Sequence, residues 1–108
     1  MAKTSVRAVP LVTLNAASVT SSYAALNTTG LPAACFYIRL VNANSKALYL
    51  SYDGVTDNEY VQAGAVFELP VQTNAQPIAM EALYPKGMKV YIKGEAGTGL
   101  ITLSAYYV

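Results

Sequence analysis

The stretch CFYIRLVNANSKALYLSYDG, residues 35–54, decides the fold. Phe36, Ile38 and Leu40 alternate with Tyr37 and Arg39, the period of two that a half-buried strand requires. Leu48, Leu50 and Tyr52 repeat the pattern over residues 46–53. Between them, Asn42, Ala43, Asn44 and Ser45 bring short polar side chains that satisfy turn backbone locally, so the two segments are expected to form a hairpin.

The same alternation continues downstream. Ala65, Val66, Phe67 and Leu69 predict a strand that Pro70 ends, and residues 78–84 read as a further strand before Pro85. Met88, Val90 and Ile92 face opposite Lys89, Tyr91 and Lys93, and residues 100–108 are long enough to cross a sheet. Gly94, Gly97 and Gly99 read as a glycine-rich hairpin between these last two strands, because no Lys-Ser or Lys-Thr pair and no helix follow to hold a phosphate. About six to eight strands joined by Gly, Pro, Asn and Asp turns, without a convincing amphipathic helix, predict an all-β fold: an antiparallel β-sandwich or jelly-roll-like barrel.

A chain of 108 residues is one domain, with roughly two-thirds of its unfolded surface buried. Residues 33–108 carry the sandwich pattern. Residues 1–32 differ, being mostly Ala, Ser, Thr and Asn around isolated Leu14, Val19, Tyr23 and Leu26. Two readings stand side by side: an extended arm reaching on the order of 100 Å across a neighbouring subunit, or the first strands of the sandwich at residues 9–14 and 18–25. The N-terminus is broken by Pro10, Thr13 and Asn15 and does not read as a signal peptide, and no apolar run is long enough for a membrane span.

The chemistry available is sparse. Only 12% of residues are charged and the net charge is +1, so no field favours nucleic acid. There is no His, and the single Cys35 lies in an apolar run without a partner base, so neither catalysis, a cofactor nor structural zinc is expected. Asp53, Asp57, Asn58 and Glu59 crowd one corner, but Gly54 directly follows the first acid, which departs from the spacing of a calcium loop. Asp53-Gly54 reads as a turn pair, with Asp57 and Asn58 as acceptors for an irregular corner able to carry the chain across the two sheets.

Nine tyrosines are the remaining feature. Tyr suits positions with one buried side and a wet hydroxyl, including contact patches between proteins. Tyr37, Tyr49 and Tyr91 fall opposite the aliphatic stripe. With Val9, Leu11, Val19, Tyr23 and Leu26 of the N-terminal segment they are the candidate assembly contacts. Tyr52, Asp53, Asp57, Asn58, Glu59 and Tyr60 form the alternative, a corner that combines stacking rings with carboxylate and amide groups to hold a glycan or receptor.

The run RLVNANSKALYLSYDGVTDNEYVQAGAVFEL (residues 39–69), followed by GMKVYIKGEAGTGLITLSAYYV (residues 87–108), resembles a group of small virion proteins of tailed bacteriophages. In that group an Asn-rich turn leads to a SYDG-type turn, an acidic corner, an AG turn and a closing KVYxKG strand pair that ends in aromatics. The resemblance covers residues 39–108, is most specific over residues 49–64, and matches nothing in residues 1–32. It implies a non-enzymatic, multi-copy structural subunit of the virion, in head, neck, connector or tail, whose partners are itself and other virion proteins such as capsid or portal. It carries over no catalytic residue.

Overall fold

The computed structural model describes residues 6–70 and 84–107. Of the strand expected over residues 78–84, residues 78–83 lie outside that range, and Tyr84 makes an isolated antiparallel bridge with Cys35. The described chain is all-β apart from one 3-10 turn, Ala16–Ser18. Its strands are β1 (Arg7–Ala8), β2 (Val12–Asn15), β3 (Ala24–Ala25), β4 (Tyr37–Asn42), β5 (Leu48–Ser51), β6 (Glu59–Val61), β7 (Val66–Pro70), β8 (Tyr91–Gly94) and β9 (Leu100–Tyr107). Alternation fixes their faces: Ile38 and Leu40, Leu48 and Leu50, Ile92, and Ile101, Leu103 and Ala105 are all buried, whereas the residues between them point outward.

Two antiparallel sheets stack on this shared apolar interior. One has the order β1-β9-β4-β7, with β2 continuing β1 along β9; the other has the order β3-β8-β5-β6. Pairing with β9 shifts by one residue between β1, where Ala8 meets Tyr106, and β2, where Val12 meets Leu103. The extra residue is a bulge at Pro10 and Leu11, where Pro cannot donate to a ladder. Among the described strands from β2 onward, every step along the chain crosses between the sheets except β5 to β6, which is the winding of a jelly roll.

That winding corrects two expected hairpins and one expected crossing. β4 pairs with β7 and β9 while β5 pairs with β6 and β8, so the Asn-rich residues 43–47 join different sheets. Likewise β8 and β9 lie in different sheets, and the glycine-rich residues between them form a crossover. The acidic corner, residues 52–58, stays within one sheet and closes the β5–β6 hairpin.

The two crossovers lie side by side and hold each other. Asn42 is fully buried, and its Nδ2 donates to the carbonyls of Lys46, Val61 and Gln62 at 3.2, 3.3 and 3.0 Å while its Oδ1 accepts from the Asn44 N–H at 3.1 Å. Asn44 Nδ2 reaches the Glu95 carbonyl at 3.3 Å, and the Ser45 N–H donates to Thr98 O at 3.1 Å. Bonding of this kind offsets the burial of Asn42 and of the Asn44 amide nitrogen, while Asn44 Oδ1 is buried without a hydrogen-bond partner. Gly99 has φ +109°, and a Cβ there would sit 2.1 Å from the Ala43 carbonyl oxygen, so the close approach of the crossovers demands glycine.

At the N-terminal side, Val9 donates its N–H to Ala105 O at 2.8 Å and Ala16 to Gly99 O at 3.0 Å, tying residues 9–16 to β9. Beyond β3, Asn27 substitutes its side chain for strand backbone: Oδ1 accepts from Val90 N at 2.8 Å and Nδ2 donates to Met88 O at 3.0 Å. Ala16, Val19, Leu26 and Leu31 are buried in the core these ties create.

Candidate interaction surface

The outer face of the β3-β8-β5-β6 sheet gathers most of the polar aromatic chemistry. Register places Tyr49 opposite both Tyr60 and Lys93. The Tyr49 and Tyr60 rings meet edge to face, centroids 5.0 Å apart at 61°, and remain 41% and 56% exposed. Lys93 Nζ lies 4.7 Å from the centroid of the Tyr23 ring and 5.7 Å from that of Tyr49, within cation–π range. The β5–β6 loop then delivers Asp57: its Oδ1 is 3.1 Å from Lys93 Nζ and accepts from the Tyr23 hydroxyl at 2.5 Å.

These neighbours shift the titrating groups. Desolvation, then the bond to Asp57, pushes the Tyr23 hydroxyl up to about 12. The Tyr23 hydroxyl, followed by Lys93, holds the Asp57 carboxyl below its ordinary range. Exposed ion pairs contribute little stability. Their effect is to orient three side chains and leave the Tyr49–Tyr60 pair as the protruding part of the surface.

The rest of the acidic corner is loop architecture. Asp53 Oδ1 accepts from the N–H groups of Val55 and Thr56, both at 2.8 Å, and from Ser51 Oγ at 2.7 Å, and its Oδ2 accepts from Thr56 Oγ1 at 2.9 Å. The Thr56 N–H foremost, with Val55, Ser51 and the Thr56 hydroxyl, holds Asp53 well below the usual carboxylate range. Asn58 Oδ1 accepts from Tyr52 N at 2.9 Å and its N–H donates to Leu50 O at 2.8 Å. Tyr52 and Glu59 continue the inward-facing positions of β5 and β6 and are half-buried; burial raises the Tyr52 hydroxyl. Of the six corner residues, only Asp57 and Tyr60 join the outer platform. Among the described residues no three His, Cys, Asp or Glu side chains converge as a metal site.

The expected assembly contacts separate. Val19 and Leu26 are buried in the chain's own core, where the passage from β2 to β3 closes one edge of the sandwich, so they are not surface contacts. Tyr23 and Tyr49 sit on the platform, and Tyr91 is half-buried with its ring under Gly54. Tyr37 is on the opposite side of the sandwich, 5.6 Å from Tyr106 between ring centroids, and its hydroxyl donates to Glu68 Oε2. Tyr37 and Tyr49 therefore belong to two different outer faces. Leu11 is 59% exposed and Val9 half-buried beside an open groove of about 550 Å³ between β2 and residues 25–32, lined by Val12, Leu14, Leu26 and Pro32 as well.

Two participants were not singled out from the sequence. Alternation places Lys93 outward, but nothing local announces its partners Asp57 and Tyr23, the latter 34 residues from Asp57. The groove is equally invisible, since it exists only where the edges of two sheets stand apart.

No family model and no curated protein matches the chain. Among solved structures, it is similar to one described as Bacillus endospore appendages forming a novel family of disulfide-linked pili, with a TM-score of 0.52 at 12% identity over 96% of this chain and 87% of that one. It also superposes on the SPP1 Dit protein, described as a paradigm of the hub adsorption apparatus in phages that infect Gram-positive hosts, with a TM-score of 0.44 at 10% identity over 95% of this chain. The chain spans 49% of the Dit protein's length. The first similarity shows a shared sandwich fold; the second is too loose to carry an argument.

Proposed function

We propose that this chain is a non-enzymatic structural subunit of a tailed-bacteriophage particle, working through contacts with copies of itself and with other virion proteins. The observation that carries the reading is the exterior: a folded sandwich with only 12% charged residues leaves Tyr49, Tyr60, Leu11, Val66 and Leu100 exposed. Surfaces of this composition gain by being covered. The resemblance of residues 39–108 to small virion proteins supports the same reading. A sandwich fold shared with a pilus subunit is compatible with repeated self-contact, although Cys35 is buried and so unsuited to a disulfide between subunits.

The test is quantitative mass spectrometry of purified particles from the phage that encodes the chain. The expected result is a fixed stoichiometry to the capsid protein, lowered by the pair Tyr49→Ser and Tyr60→Ser at unchanged melting temperature. Abundance in the lysate with absence from particles would overturn the reading.

A second reading rests on the same platform: the exposed Tyr49–Tyr60 pair beside the Asp57 carboxylate has the mixed stacking and hydrogen-bonding character of a glycan site. On a glycan array it requires specific binding that disappears in both Tyr60→Ala and Asp57→Ala.

A further inference from the structure

The N-terminal edge of the sandwich has a property its other edges lack. No Asp, Glu, Lys or Arg occurs between Arg7 and Arg39, so β2 carries no charge on either face. Sheet edges are ordinarily blunted by charge, by proline within the strand or by extreme shortness. In this fold β6 has Glu59, β7 has Glu68 and Pro70, and β3 is two residues long. β2 has none of these protections beyond the bulge that precedes it.

Its free edge is also well defined. Ala16 bonds Gly99, and with the register Val12 to Leu103 and Leu14 to Ile101, the alternation of an antiparallel ladder aims the backbone of Val12 and Leu14 at β9. Leu11, Thr13 and Asn15 therefore direct their N–H and C=O groups away from the sheet, where no strand lies among the described residues.

We propose that a second copy of this chain adds its own β2 to this edge, antiparallel, about a two-fold axis through Thr13. The proposal deepens the assembly reading and rests on it. The strand is self-complementary in this register: Thr13 pairs with its counterpart, Leu11 with Asn15 of the other copy, and all three outward backbone positions are used. Val12 falls opposite Leu14 of the other copy, an apolar cross-strand pair on the inward side. β2 itself carries no charge, so no like charges meet across the axis along the paired strands. A ladder of this length alone falls short of the roughly 1,000 Å² that specific contacts bury. The groove beside β2, lined by Leu11, Val12 and Leu14, offers further apolar surface next to the added strand. The result is one continuous sheet across two subunits, the commonest symmetry of soluble oligomers.

Thr13→Pro separates association from folding, because the N–H it removes points outward and edge strands tolerate proline there. Light scattering coupled to size exclusion should give a dimer for the wild-type chain and a monomer for Thr13→Pro. Thr13→Cys should form an intermolecular disulfide under mild oxidation, since paired Cα atoms lie about 5.5 Å apart. Val55→Cys, on the exposed β5–β6 loop, should not. A wild-type monomer, or a Thr13→Pro dimer together with no Thr13→Cys cross-link, would overturn the proposal. Incorporation of Thr13→Pro into particles at the wild-type level would also reject this contact while leaving the assembly reading standing; absence of the wild-type chain from particles rejects that reading itself.

Discussion

Residues 43–47 and 52–58 are both short connections rich in Asn, Asp and Ser, yet the first carries the chain from one sheet to the other and the second turns it back within a sheet. In the first, Asn44 is buried and bonds to Glu95, and Asn42, at the end of β4 just before it, bonds to Val61 and Gln62, while Ser45 and Lys46 stay exposed. In the second, Asp53 and Asn58 bond almost wholly within the loop, which stays outside and presents Asp57 to the platform. Where a polar side chain finds its partners, rather than which residue it is, decides whether a connection builds the core or the exterior.

The sharpest way to break this contrast is Asn42→Ala. It strands one buried N–H and several carbonyls, and should cost about 3 kcal/mol in urea unfolding with an unchanged denaturant slope. A loss no larger than that of an exposed substitution would mean the crossover is not held by this side chain. Next in size is Gly99→Ala, expected to cost about 2 kcal/mol or more because both its left-handed φ and the Ala43 carbonyl oppose a Cβ. Gly64→Ala, with φ +76° but nothing within 4 Å, should cost only about 1 kcal/mol. Equal losses would remove the crossover contact from the account.

On the exterior, Tyr60→Ala should change stability by less than about 1 kcal/mol and still reduce incorporation into particles. Stability loss without an assembly defect would reverse the assignment of that surface. The smallest effect concerns acid. The folded-state carboxyls of Asp53 and Asp57 titrate lower than in the unfolded chain, so their contribution is complete above the ordinary carboxylate range and is lost as pH falls through the folded values. Melting temperature should decline on acidification below about pH 4, and less steeply in Asp57→Asn. An unaltered slope would show that the Tyr23–Asp57–Lys93 contacts do not persist in solution.

The sequence makes the strands legible where one face is buried and the other wet. Phe36 to Leu40, Leu48 to Tyr52 and Met88 to Ile92 alternate cleanly, and the all-β class follows from them. The winding is not legible, because Asn42 and Asn44 have the local chemistry of a hairpin turn, and only burial against residues 61–62 and 95 distinguishes a crossover. Weakly apolar residues 12–15 and 24–25 form strands because β9 and β8 supply partners, a tertiary effect that composition does not carry. At the site, Tyr60 and Asp57 were visible as residue types. Their separation from Tyr52 and Asp53 follows from strand parity and from the loop's own hydrogen bonds.

The proposed function requires that neighbouring subunits cover the exterior of this sandwich. Electron cryomicroscopy of the assembled particle tests it most directly. The expected map shows repeated copies of the two-sheet domain with a neighbour seated against the Tyr49–Tyr60 face or the β2 edge. Copies with both surfaces open to solvent, or particles lacking the domain, would contradict it.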